Sequence, residues 1–163
     1  KKMIDLVGPN GKILDVGCGT GYFAEKFLSK YDVMGVDISE EMIRYAQTRM
    51  KKAVQGDAQN MPFPDNTFDV VIARSLLHHL PDPKQGAKEI KRVLKNGGRV
   101  IFADTHNSFL SDLPRKIMYK KNKHFSDEHK NFKEEELIKI IGSELTIIKK
   151  YYFFYIKRNV RHS

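Results

Sequence analysis

The sequence contains one cysteine, Cys18, no tryptophan, and no apolar run near the roughly 20 residues that a membrane helix needs. A single cysteine excludes an internal disulfide framework and a cysteine-based zinc site. The six histidines are scattered and none falls in a His-Glu-x-x-His pattern, so no metal site is expected. No leader with an apolar stretch and a small-residue cleavage site precedes the first strand, which points to a cytoplasmic protein. Acidic residues are also scarce: 20 Asp and Glu face 29 Lys and Arg, a net of +9. Such a balance suits an anionic partner and equally suits a lysine-rich solvated surface. What remains is a globular composition, 40% hydrophobic and 30% charged, and a length of 163 residues that fits one domain over 1–163.

Short apolar strands alternate with amphipathic helices. The strand candidates are Lys12 to Val16, Val33 to Asp37, Ala53 to Gln55, Phe68 to Ala73 and Arg99 to Asp104. All but the third are continuous apolar runs, the pattern of parallel strands covered on both faces. After the first strand, Phe23, Ala24, Phe27 and Leu28 share a helical face. Ser39 is predicted to cap a helix that turns Met42, Ile43 and Ala46 inward. Asp82-Pro83 opens another, with Ala87, Ile90 and Leu94 buried and a stop at Asn96-Gly97. Glu134 to Glu136 open a last helix, with Leu137, Ile140 and Ile141 inward and Gly142 at its end. Leu145 to Lys157 is rich in Ile, Tyr and Phe and predicts two final strands. The alternation implies right-handed crossovers and an α/β, Rossmann-like, doubly wound sheet with helices on both faces.

The densest chemical signal is Ile13-Leu14-Asp15-Val16-Gly17-Cys18-Gly19-Thr20-Gly21-Tyr22-Phe23. An apolar strand runs into a glycine-rich turn, where a ligand can approach the backbone closely. The spacing is G-x-G-x-G, and Asp15 stands two residues before the first glycine. A dinucleotide would need a free helix N-terminus for its pyrophosphate. A ligand with a positive centre and no phosphate would favour the carboxylate instead. Asp37 ends the second strand, twenty residues after Gly17, where an acid can accept from two ribose hydroxyls. Asp57, in Gly56-Asp57-Ala58, could accept from an exocyclic amine. A fourth station is the buried strand Phe68 to Ala73, which leads into Leu77-His78-His79-Leu80.

Asp15 to Gly21, Gly35 to Ser39, Gly56 to Asp69, Leu77 to Leu80 and Val93 to Gly98 together resemble the class I S-adenosylmethionine-dependent methyltransferases of the small type 11 kind. The resemblance covers about residues 11 to 104. It implies a mostly parallel seven-stranded sheet whose last strand is antiparallel. It implies S-adenosylmethionine as cofactor and S-adenosylhomocysteine as product. Gly17, Gly19 and Gly21 would wrap the methionine portion, with Asp15 near its ammonium and Ala73 offering a carbonyl there. Asp37 would hold the ribose hydroxyls, and Asp57 with Ala58 would meet the adenine. Cys18 and Ile38 complete the expected contacts, Cys18 as a small turn residue rather than a reactive thiol.

Methyl transfer from a sulfonium is a direct displacement, in which the protein supplies alignment and electrostatics. The family has no fixed catalytic residue. His78, His79 and His106 lie near strand ends, where a base near neutral pH would be useful.

Two features depart from the family. About ten residues precede the first strand, where the family usually has a longer covering segment; the chain begins with Lys, as a trimmed piece would. Residues 105–133 form a long connection between the fifth strand and the next helix, with seven basic and three acidic side chains. Leu113 to Lys121 reads as a basic amphipathic helix in a lid-like insertion. Residues 1–108 carry 16 basic and 13 acidic side chains, whereas residues 109–163 carry 13 and 7. The excess charge belongs to the lid and tail, and so to acceptor choice rather than to the cofactor. An anionic small-molecule acceptor is expected first and structured RNA second. Arsenite would demand more thiols than one. The rival readings are a non-catalytic S-adenosylmethionine-binding sensor or partner subunit, and a nicotinamide-dependent oxidoreductase, which the G-x-G-x-G spacing disfavours.

Overall fold

A computed structural model gives the architecture and describes residues 7–8, 11–103 and 134–147. Among these residues, five parallel strands form one sheet: β1 (Lys12–Val16), β2 (Asp32–Asp37), β3 (Ala53–Gln55), β4 (Phe68–Arg74) and β5 (Leu94–Ala103). Their order is β3-β2-β1-β4-β5. The chain steps outward from β1 to β3, then returns past β1 to place β4 on its other side. The direction reverses between β1 and β4, and ligands of open α/β sheets bind at the strand carboxyl ends beside such a reversal.

Against the sheet lie α1 (Glu40–Gln47), α2 (Pro83–Val93) and α3 (Glu134–Gly142). Ser39 caps α1 as its position suggests, its hydroxyl accepting from the Met42 amide at 3.3 Å. Asp82 caps α2 by accepting from Lys84 and Gln85 amides, with Pro83 in the first turn, where a missing N–H costs nothing. Residues alternate across β1, so Leu14 and Val16 face one layer and Ile13 the other. Leu14 and Val16 join Phe68, Val71, Ile90 and Val93, with Leu137 and Ile141 of α3 packed against them. Ile13 joins Val33, Ile43, Ala46, Ile72 and Phe27. The result is a sheet covered on both faces, as the unbroken apolar strands imply.

Three expectations are corrected. The segment after the glycine turn is no full helix but one tight 3-10 turn, Ala24–Phe27. Only Ala24 and Phe27 are fully buried there; Phe23 and Leu28 are half-covered. Helix α2 stops at Val93, not at Asn96-Gly97, because Leu94 already pairs with Phe68 as the first residue of β5. The next matched pair is Val70 with Arg99, so Lys95 to Gly98 are accommodated as a bulge, with Gly97 at a φ of +76°. Third, Leu145 to Ile147 are not in a strand; they follow α3 through a turn. The rest of the expected final strands, the 105–133 insertion, most of Lys2 to Val7 and His106 lie outside the described residues.

Candidate functional site

The carboxyl ends of β1, β2 and β4 bring the first stations together. Val16 pairs with Val36 on one side and with Ala73 on the other. Gly17 therefore leaves the sheet between the end of β2 and the end of β4. Gly17, Gly19 and Gly21 all have positive φ, at +70°, +53° and +74°. Gly21 is also buried, and a Cβ there would stand 3.2 Å from the Ala46 backbone. Gly19 is different: a Cβ there would meet nothing within 4 Å, so this turn presents bare backbone to open space.

Asp37 organises the turn. Its Oδ2 accepts from the Gly19 amide at 2.9 Å and its Oδ1 from the Ser39 amide at 3.0 Å. Each ionised carboxylate oxygen retains a further lone pair, so ribose hydroxyls can still be accepted. Beside Asp37, Ile38 is 70% exposed, an apolar side chain held at the rim. Asp57 follows β3; its Oδ1 accepts from Gln59, and the Gly56 amide donates to the Asp37 carbonyl. The second and third stations are thus tied through backbone. Ala58 is buried next to them.

Asp15 is the anomaly of the site. It is 2% exposed, and its Oδ2 has no hydrogen-bond partner. Burial pushes its carboxyl up to about 7; Arg74 pulls it back down and Asp37 adds to the rise. A buried polar atom left without a partner is costly and calls for an explanation. Here it lies two residues before the first glycine of the turn, on a strand end beside the sheet's reversal point. An ammonium supplied by a ligand would satisfy it.

Cys18 turns its thiol into the core, where a Cβ on Gly35 would come within 2.7 Å of Sγ. Burial, with Asp15 and Asp37, pushes the thiol up to about 12, so it is no nucleophile. Its contribution to a ligand is restricted to backbone. Ala73 is buried in β4, and Ser75 beyond it takes a φ of +48°, unusual outside glycine, while its amide donates to the Ala103 carbonyl. The rings of His78 and His79 lie 4.1 Å apart on a short 3-10 turn after β4, half-covered and exposed respectively.

Two features escaped the sequence. Glu89 and Arg92 of α2 bind the loop that follows Asp57. Glu89 Oε2 accepts from the Met61 amide at 2.8 Å, and Arg92 donates to the Phe63 and Met61 carbonyls, to Asp65 and to Glu89. The Arg92 hydrogen bonds hold the Glu89 carboxyl below the usual carboxylate range. The only available signal was an acid three residues before a basic residue on a helix, which usually marks a solvated pair. The second is Arg74, whose guanidinium carbon lies 4.1 Å from the Phe23 ring centroid, beside the glycine turn. A cation directly after the buried run of β4 was its one mark in the sequence.

Residues fit for an adenosyl amino-acid ligand are therefore present: a bare glycine turn, an unpartnered buried acid and a rim acid with free acceptor capacity. Comparisons with known proteins agree. Residues 14–102 match the type 11 methyltransferase domain family. An uncharacterized protein of Methanocaldococcus jannaschii is 37% identical over 124 residues, covering 76% of this chain and 57% of that protein. The 27-O-demethylrifamycin SV methyltransferase of Amycolatopsis mediterranei is 39% identical over 103 residues, or 57% of this chain and 38% of the enzyme. A Thermotoga maritima structure, described as an S-adenosylmethionine-dependent methyltransferase and possible histamine N-methyltransferase, superposes with a TM-score of 0.72 at 30% identity. It covers 88% of this chain and 67% of that one. The chain spans about half the length of the curated relatives it matches.

Proposed function

From a chain that belongs to the class I S-adenosylmethionine-dependent methyltransferases of type 11, we propose an enzyme that moves a methyl group to a small, anionic acceptor. The observation that carries the reading is the Asp15 carboxylate, buried and unpartnered at Oδ2 beside the open Gly19 turn. S-adenosylmethionine, when bound, supplies the activated methyl group. The glycine turn receives the amino-acid portion, and Asp15 offers its ammonium a carboxylate in a low-dielectric setting. Asp37 accepts from the ribose hydroxyls and, through Gly19 and Ser39, holds the turn at the right distance. Asp57 and Ala58 border the adenine, with Ile38 against its face. Alignment supplies most of the acceleration; an in-line approach is worth on the order of 7–11 kcal/mol at best.

His78, His79 and His106 are the candidates for taking a proton from the acceptor. The reading keeps one domain over 1–163, with 105–133 as a lid and the tail completing a seven-stranded sheet whose last strand is antiparallel. An anionic acceptor is supported by charge: residues 109–163 carry 13 basic and 7 acidic side chains. Small-molecule chemistry is supported by the rifamycin methyltransferase among its relatives. The test is calorimetric titration with S-adenosylhomocysteine, followed by release of labelled methyl to pooled acceptors. Binding with turnover on an anionic metabolite pool supports the proposal. Tight binding without turnover on any pool replaces it with a cofactor-binding sensor, and turnover confined to RNA replaces the acceptor class.

A further inference from the structure

The end of the sheet opposite the cofactor region carries a cavity of its own. Among the described residues, Val7, Asp69, Lys95, Gly97, Gly98 and Arg99 line a hollow of about 190 Å³ where β4 and β5 begin. Arg74 ends β4 five residues after Asp69, so roughly 16 Å of strand separates the two ends. The bulge of β5 builds one wall. Phe68 pairs with Leu94 and Val70 with Arg99, which pushes the residues between them out of register. A Cβ on Gly97 would meet nothing within 4 Å, so this wall shows backbone to open space.

The charged side chains of the hollow are held in place. Asp69 Oδ1 accepts from Lys95 Nζ at 2.8 Å, and its Oδ2 accepts from the Lys12 amide at 2.9 Å. Both oxygens of the acid are therefore engaged, and Lys95 has two further donors to offer. The Arg99 guanidinium crosses the chain that enters β1: a Cβ on Gly8 would stand 2.9 Å from its Nη1. The Tyr31 hydroxyl donates to the Gly8 carbonyl and fixes that backbone beneath Arg99. A Cβ on Gly11 would stand 2.8 Å from the Asp69 Cβ. The incoming chain lacks side chains at the two places where it passes these charged groups.

Two cations and one acid, already engaged, share a space below the roughly 300 Å³ that a drug-sized ligand needs. A single oxyanion group suits it. A carboxylate would spend both oxygens on the arginine fork, whereas a phosphate keeps a third for an ammonium. We propose that this hollow is a second ligand site, which binds a phosphate group between Arg99 and Lys95, either as the free ion or as the end of a small phosphate ester. It shares no residue with the cofactor region, so the two readings stand or fall separately.

The test titrates the isotope-labelled full chain with sodium phosphate, glycerol 3-phosphate and sodium chloride at constant ionic strength, and follows the amide chemical shifts. Saturable shifts centred on the amides from Lys95 to Arg99 are expected with phosphate or its ester and not with chloride. Tighter saturation by glycerol 3-phosphate identifies an ester as the ligand, and tighter saturation by phosphate identifies the free ion. Arg99→Gln is expected to weaken binding about tenfold or more, the scale of a hydrogen-bonded charge, with Arg99→Lys between the two. Lys95→Gln should weaken it several-fold, and it carries the test if Arg99→Gln fails to fold. Shifts that chloride reproduces, saturable shifts confined to other residues, or binding unchanged in both Gln variants overturn the proposal. None of these results touches the methyltransferase reading.

Discussion

The Gly19 backbone amide donates to Asp37 Oδ2 at 2.9 Å. This bond joins the turn after β1 to the end of β2, and the second oxygen of the same carboxylate holds the Ser39 amide at 3.0 Å. One side chain therefore ties the glycine turn to the residue that caps α1. Asp37→Ala removes both acceptors. It is expected to cost about 1–2 kcal/mol of stability in chemical denaturation. Affinity for S-adenosylhomocysteine should fall by at least about tenfold, and Asp37→Asn, which keeps one acceptor oxygen, should fall between. Unchanged affinity in Asp37→Ala contradicts the placement of the cofactor.

Asp15 links stability to function in opposite directions. Its carboxyl titrates near 7 in the folded chain against an ordinary 3.8. The folded chain thus holds a proton that the unfolded chain gives up between those values. This contribution to stability is complete below about pH 4 and is lost as the pH rises through about 7. Asp15→Asn cannot ionise, so it should match wild type only below about pH 4, already be the more stable at pH 5, and melt several degrees higher at pH 8. The same variant should bind S-adenosylhomocysteine more weakly, because the ammonium loses its carboxylate. In wild type, affinity for that ligand should rise from pH 6 to pH 8. Melting curves and titrations at the two pH values check all three; a variant less stable at pH 8 counts against the unpartnered carboxylate.

Gly19 and Gly21 separate binding from packing. A Cβ on Gly21 would press on the Ala46 backbone at 3.2 Å, so Gly21→Ala should lower the melting temperature markedly. A Cβ on Gly19 would meet nothing within 4 Å, leaving only the φ of +53° to cost about 1 kcal/mol. Gly19→Ala should therefore fold nearly as well as wild type but lose cofactor affinity, because the methyl fills the space where a ligand approaches. The two ranks are read from thermal melts and from titration.

Arg92 and Glu89 anchor the loop that follows Asp57. Arg92→Ala leaves Glu89, 7% exposed, without its main partner while still facing the Met61 amide. A loss of roughly 2–3 kcal/mol is expected in denaturant unfolding. Arg92→Lys should rescue little, since one ammonium cannot reach Phe63, Met61, Asp65 and Glu89 at once. Glu89→Gln should be milder than Arg92→Ala, because an amide oxygen can still accept from Met61.

The parallel strands were legible because both faces of the sheet are covered, which writes unbroken apolar runs into β1, β2 and β4. The caps at Ser39 and Asp82 were legible because a cap is a local hydrogen bond between neighbours in sequence. The short turn at Ala24–Phe27 was not: Phe23, Ala24, Phe27 and Leu28 have helical spacing, and one 3-10 turn places Ala24 and Phe27 almost as well. The early start of β5 was hidden because Asn96-Gly97 marks a helix end and a β-bulge alike. At the site, Asp15, Gly19 and Asp37 could be named from spacing, but not that Asp15 lacks a partner or that Asp37 grips the glycine turn. Those are facts of registration between strands far apart in the chain. Arg74 meets Phe23, and Glu89 and Arg92 meet the loop after Asp57, only across such distances, so their local marks, a cation after β4 and an i,i+3 pair, read as solvated side chains.

The central claim is that one ligand bridges the ends of β1, β2, β3 and β4. Hydrogen–deuterium exchange of the full chain with and without saturating S-adenosylhomocysteine tests it most directly. New protection is expected in residues 15–22, 37–39, 57–60 and 73–76, with the Gly19 and Ser39 amides among the most slowed. Saturating ligand that leaves these four segments unchanged, or protects a different part of the chain, contradicts it.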